Sequence, residues 1–200
     1  MGHPRIEPLA APFEEGIGAL LQRMMGGIDL EPIALFRTMA RNRPMAEAGW
    51  ELGSYGLGRT LSLDRRIREI VIDRTSARLG CEYEWSVHVL FFAERVGLTP
   101  EQVSSLTHGT SADPCWPAPR ERLAIDAVDA LVDTGDIADG LWADLAGAFT
   151  EAELLDLLMM TGWYHAICFL ARATRLPLEG GGPTFVSVEP APPGRAGDGR

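Results

Sequence analysis

Residues 68–88, REIVIDRTSARLGCEYEWSVH, set two helical patterns against each other across one glycine. Before Gly80, apolar residues recur at spacings of three and four, which predicts a helix over about 63–79. After it, Cys81, Glu84, Trp85 and His88 stand at i, i+3, i+4 and i+7, so at ~100° per residue they share one face of a second helix. A thiol, a carboxylate, an indole and an imidazole on one stripe either point to solvent or line a pocket. Val87, Val89, Leu90 and Phe91 surround them with apolar groups, which leaves the helix little wet surface and favours the pocket.

Glu84 and His88 are one turn apart, so the carboxylate can hydrogen-bond the imidazole, fix its tautomer and raise its basicity. Left exposed, such a pair contributes only a few tenths of a kcal/mol to its helix. The helix before Gly80 favours the other reading. Glu69 lies twelve residues before Cys81, flanked by Ile67, Ile70, Val71 and Ile72, and two antiparallel helices joined at Gly80 bring it to the same site. Burial of such groups moves their pKa values towards neutrality, which suits proton transfer.

Outward from this hairpin the signals remain helical, and no alternation of polar and apolar residues is long enough to propose a sheet. The fold class is all-α. Further helices are expected over about 13–25, ended by Gly26-Gly27, over 31–41, and from Pro44 to the Gly56-Leu57-Gly58 stretch. Ser62 is the expected cap of the 63–79 helix, with Asp64 in its first turn, and the helix after Gly80 is expected to run to Val96. Thr99-Pro100-Glu101-Gln102 and Thr150-Glu151-Ala152-Glu153 read as capping boxes that open further helices, the second reaching Thr174. Helices over about 120–132 and 138–148 lie between them, after a loop at 107–119. The expected organisation is one helical domain over 1–179 and a flexible Gly- and Pro-rich tail over 180–200.

The formal charge of −10 repels phosphate backbones and anionic lipid, so neither nucleic acid nor a membrane is an expected partner. All 18 basic residues are arginine, which removes lysine Schiff-base chemistry. Three cysteines without a CxxC pair fit a reducing cytoplasm rather than a disulfide framework. His3 and His108 have no ligand spacing, so no metal site is expected. The apolar run over 154–170 carries Asp156 and His165 and reads as a core or interface helix.

The spacing Glu69-x11-Cys81-x-x-Glu84-x-x-x-His88 resembles the fingerprint of the carboxymuconolactone decarboxylase and alkylhydroperoxidase D superfamily, whose peroxidase branch has a second cysteine at the Glu84 position. The segment ELLDLLMMTGWYHAICFLARAT, 153–174, is similar to that family's closing helix. The resemblance implies a cofactor-free enzyme acting on a small organic substrate, and a homo-oligomer, trimeric or hexameric. The decarboxylase branch matches at Glu69, Glu84 and His88 but has an arginine at the Cys81 position, a natural clamp for a substrate carboxylate.

On this reading Glu69, Glu84 and His88 are catalytic, and Cys81, Trp85 and His165 bind the substrate, which undergoes decarboxylation, isomerisation or ring formation. Two other readings stand beside it: a thiol-dependent peroxidase or redox protein using Cys81, and a non-catalytic helical binding module.

Overall fold

The computed structural model describes residues 3–28 and 30–189. Nine α-helices follow one another among them: α1 (Glu15–Met24), α2 (Ala34–Met39), α3 (Arg43–Leu57), α4 (Arg65–Arg78), α5 (Glu82–His88), α6 (Pro100–His108), α7 (Pro119–Thr134), α8 (Asp139–Ala148) and α9 (Glu151–Thr174). No strand occurs among the described residues.

Helix α4 is the axis of the fold, packed against α5, α6, α7 and α9. Every residue from Ile67 to Ser76 is buried, so the helix carries four ionisable groups into the interior: Arg68, Glu69, Asp73 and Arg74. Buried charges persist only where they are paired and hydrogen-bonded. Arg74 forms a two-pronged pair with Asp129 of α7, both contacts at 2.7 Å, and donates to the carbonyls of Leu106 and Gly109. Asp129 thus belongs to a structural ion pair rather than to a solvated helix face.

The cap of α4 is Asp64, not Ser62: the Asp64 carboxylate accepts from the N–H groups of Arg66 and Ile67 at 2.9 Å. The Ser62 N–H instead donates to Asp156 of α9. Both expected capping boxes form, with reciprocal bonds between Thr99 and Gln102 and between Thr150 and Glu153. At the other end of α4, Gly80 takes the left-handed conformation (φ +62°) that reverses the chain into α5.

The expected fifth helix keeps regular α geometry only to His88. Val89–Ala93 form a π-helical turn and Glu94–Val96 a 3-10 turn, closed by Gly97 at φ +70°. The wide turn breaks the α-helical periodicity immediately after His88 and carries Phe91 and Phe92 to the cavity described below.

In α9, Leu154, Leu157, Thr161, Tyr164, Cys168 and Ala171 are buried at spacings of three and four. Leu155, Met159 and Phe169 lie on the opposite side and are more than half exposed. By length and composition α9 could cross a membrane, yet half of its most apolar stretch is buried inside this fold.

Of the segment expected to be a flexible tail, residues 180–189 fold back onto the helices. Phe185 stacks on Trp85 with ring centroids 5.0 Å apart, its N–H donates to Glu82, and its carbonyl meets His108. Packing of one aromatic outweighs the Gly-rich composition there. Residues 190–200 lie outside the described residues.

Candidate active site

Glu69 joins two cations. On the buried face of α4, its Oε1 accepts from Arg68 Nε at 2.6 Å and its Oε2 from His88 Nδ1 at 2.8 Å. The other imidazole nitrogen, Nε2, lies 3.4 Å from Glu84 Oε1. All four side chains are at most 6% exposed. The antiparallel hairpin therefore brings Glu69, Glu84 and His88 together, with the histidine between two carboxylates.

Burial alone would lower the His88 pKa. The charge and hydrogen bond of Glu69, followed by those of Glu84, outweigh it and push the imidazole up to about 10. Burial likewise opposes ionisation of Glu69, but His88 and then Arg68 hold its carboxyl below the ordinary range. His88 is thus a fixed imidazolium at neutral pH, whereas the sequence reading expected a group titrating near neutrality.

Two groups that sequence reasoning missed complete the polar cluster. Asp73, one turn after Glu69, is 1% exposed and neither of its oxygens has a partner. Burial, then the charge of Glu69, push its carboxyl well above the usual range and keep it protonated. Tyr164 of α9 meets the His88 ring edge-on at 5.1 Å. Burial, then the charges of Glu84 and Glu69, raise its pKa and hold it as the neutral phenol.

Glu84, His88 and Tyr164 line a partly open cavity of about 550 Å³ between α1, α2, α3, α5 and α9. Its walls are mainly apolar, with Leu35, Trp50, Phe91 and Phe92 among them, and the exposed Arg95 is also at its edge. A volume of this size with few polar groups suits a small organic molecule.

The three residues expected to bind substrate do not line this cavity. Trp85 is fully buried within the apolar cluster of Ile70, Ile125 and Leu145, since one residue beyond Glu84 the helix has turned by ~100° towards the core. His165 stacks on Phe169 with centroids 4.5 Å apart, one position off the buried stripe of α9; the stripe spacing 154, 157, 161, 164, 168 selects Tyr164 instead. Cys81 sits behind the cavity, fully buried. Cys168 belongs to the same apolar cluster, and both cysteines meet Ser76. The Cys168 thiol nearby, then the Glu84 N–H and the charge of Arg172, outweigh burial and lower the Cys81 pKa. The absence of CxxC therefore does not leave Cys81 without a second thiol.

Among the described residues no group of three or more His, Cys, Asp or Glu side chains is arranged to hold a metal ion.

Residues 46–130, from α3 to α7, match the Carboxymuconolactone decarboxylase family, and this span includes Glu69, Cys81, Glu84 and His88. No curated protein matches the chain. Among solved structures, an uncharacterised peroxidase-related protein from Silicibacter sp. TM1040 shares the fold at TM-score 0.76 and 16% identity, over 90% of this chain and 96% of that one. An alkylhydroperoxidase AhpD core protein from Ralstonia eutropha JMP134 does so at 0.73 and 16%, over 90% and 95%. The debrominase Bmp8 aligns at 0.73 and 15%, over 88% and 92%. The family match thus spans residues 46–130, and the helical architecture is the one shared with these alkylhydroperoxidase D-like and debrominase structures.

Proposed function

We propose that the protein is an enzyme that moves protons on a small carboxylated, lactone or keto substrate, by decarboxylation, isomerisation or cyclisation, with Glu84 and His88 as its acid–base pair and neither metal nor organic cofactor. The observation that carries this reading is the second oxygen of Glu84. Oε1 faces the imidazolium, while Oε2 is buried without a partner in a residue that lines the cavity. An unpaired carboxylate oxygen in an apolar site is a strong acceptor for a substrate proton. His88, clamped through Nδ1 to Glu69, offers Nε2–H as the donor that returns a proton. Tyr164 adds a neutral phenol beside it, and Arg95 is suited to a substrate carboxylate, the role the family's arginine would have at the Cys81 position. The debrominase Bmp8, similar in fold, has a variant in complex with 2,3,4-tribromopyrrole, which makes small rings the first compounds to try.

The test is turnover of a panel of small carboxylated lactones and keto acids. Glu84→Gln and His88→Asn should each lose about 10²- to 10⁴-fold, the double variant little more, and Cys81→Ser should retain most of the activity. One observation favours a second reading, thiol-dependent peroxidase turnover: the lowered Cys81 thiol. Under it the order inverts, and hydroperoxide reduction with a thiol reductant is abolished in Cys81→Ser.

A further inference from the structure

We propose that Cys81 and Cys168 form a redox-active pair that closes to a disulfide on exposure to a hydroperoxide, cross-linking the start of α5 to the middle of α9 behind the cavity. The pairing does not depend on the acid–base reading of the cavity.

The two cysteines are 87 positions apart in the chain, 81 and 168, yet the fold places both in the apolar cluster that includes Leu20, Leu35 and Ile167. The placement follows from two helical registers. Gly80 turns the chain so that Cys81 faces α9, and the buried stripe of α9 continues from Tyr164 to Cys168. Within the cluster both cysteines meet Ser76: the Cys81 N–H donates to its carbonyl at 2.8 Å, and the Cys168 sulfur lies 3.7 Å from its Oγ.

The surroundings make the two sulfurs unequal, as thiol–disulfide chemistry requires. The Cys168 thiol nearby, then the Glu84 N–H and the charge of Arg172, favour the Cys81 thiolate. For Cys168, the Cys81 thiol and then burial hold the thiol protonated. The more readily ionised thiol and its proton-bearing partner thus sit against the same residue, Ser76.

Buried cysteines are ordinarily inert because reagents do not reach them. Here Cys81 directly follows the exposed Gly80, and the residues next to the pair, Glu84 one turn after Cys81 and Ile167 before Cys168, line the cavity.

The chemistry balances. The Cys81 thiolate attacks one oxygen of hydrogen peroxide, the O–O bond breaks, and the departing hydroxide takes up the proton released by Cys81 as water. Cys81 is then a sulfenic acid. The Cys168 sulfur attacks it, the S–OH bond breaks, and the leaving hydroxide takes the Cys168 proton as a second water. Each thiol has given one electron, and the peroxide has gained two.

The experiment treats the full chain with stoichiometric hydrogen peroxide, alkylates it under denaturing conditions and maps its peptides without reductant. The expected result is loss of two of the three thiols, a peptide linking residues 81 and 168, and recovery of both thiols with dithiothreitol. Cys115→Ser should behave like wild type. Cys168→Ala should yield no cross-link and instead carry added oxygen on Cys81. Three intact thiols, over-oxidation of Cys81 with Cys168 still reduced in wild type, or a cross-link through Cys115 would each overturn the pairing. The wild-type map decides on its own, so a variant that fails to fold does not leave the question open.

Discussion

Replacing Glu69 with glutamine keeps the volume of the side chain and removes its charge. The loss falls on two buried cations: Arg68, which donates to Oε1, and His88, which donates to Oε2. Breaking one side of a buried pair costs about 3–5 kcal/mol because the partner charge stays desolvated. In a chain of this size each kcal/mol corresponds to ~2–4 °C in Tm, so the variant should melt roughly 6–20 °C lower. His88 should also change state. In the native protein Glu69 is the largest influence holding the imidazole up against burial; without it only Glu84, at 3.4 Å, opposes desolvation. The imidazole pKa should then fall from about 10 by about two pH units or more, equivalent to ~3 kcal/mol. Proton NMR of the histidine Cε1–H signals between pH 5 and 10 reads this directly, with His88→Asn assigning the resonance among the four histidines. A Tm lowered by less than about 3 °C, together with an unmoved His88 titration, would refute the assignment of Glu69 as the group that fixes the imidazolium.

The same pair sets a pH window. His88 is raised in the folded state, so its contribution should be complete below the ordinary 6.5 and be lost as pH rises through about 10; Glu69 is lowered, so its contribution should be lost as pH falls below 4.5. The pair's contribution to thermal melts should therefore be level between about 4.5 and 6.5 and fall as pH rises from there towards about 10, and His88→Asn should flatten this alkaline limb. Asp73 has the opposite sign for a carboxyl: its raised pKa means that stability is lost as pH rises above 3.8. Asp73→Asn should hence melt at the same temperature as wild type or higher at pH 7, and a loss of several degrees would show that the carboxyl is ionised and paired. The exposed apolar stripe of α9, Leu155, Met159 and Phe169, should be covered by a second copy of the chain. Light scattering should give a multiple of 21.7 kDa, reduced in Phe169→Asp, and a monomer in the wild type at micromolar concentration would contradict it.

The fold class and the hairpin that joins Glu69 to His88 could be read from the chain because both rest on local rules, the 3.6-residue period and a glycine reversal. The capping boxes at Thr99 and Thr150 were equally local. Asp64 displaced Ser62 as a cap because the capping position depends on the φ and ψ of one residue, which spacing does not determine. Trp85 and His165 were misplaced by a single position, since one residue rotates a helical side chain by ~100° and changes which neighbour it meets. A stricter reading of the stripe in α9 would have selected Tyr164 and Cys168. The imidazolium state of His88 was hidden for a different reason: it results from the balance of burial against two carboxylates, and burial depends on packing from α9 and the π turn. Asp73 carries no sequence signal that separates a neutral buried carboxyl from an ordinary charged one.

Proton transfer by Glu84 and His88 to and from a molecule in the cavity is the proposed chemistry. Its most direct measurement is deuterium incorporation, followed by NMR, at the acidic C–H of small keto acids and lactones incubated with the protein in D2O. Exchange should run well above the buffer rate, be about 10²- to 10⁴-fold lower in Glu84→Gln and be largely retained in Cys81→Ser. Exchange that survives Glu84→Gln unchanged, or robust hydroperoxide turnover that disappears in Cys81→Ser while no compound in the panel exchanges, would contradict it.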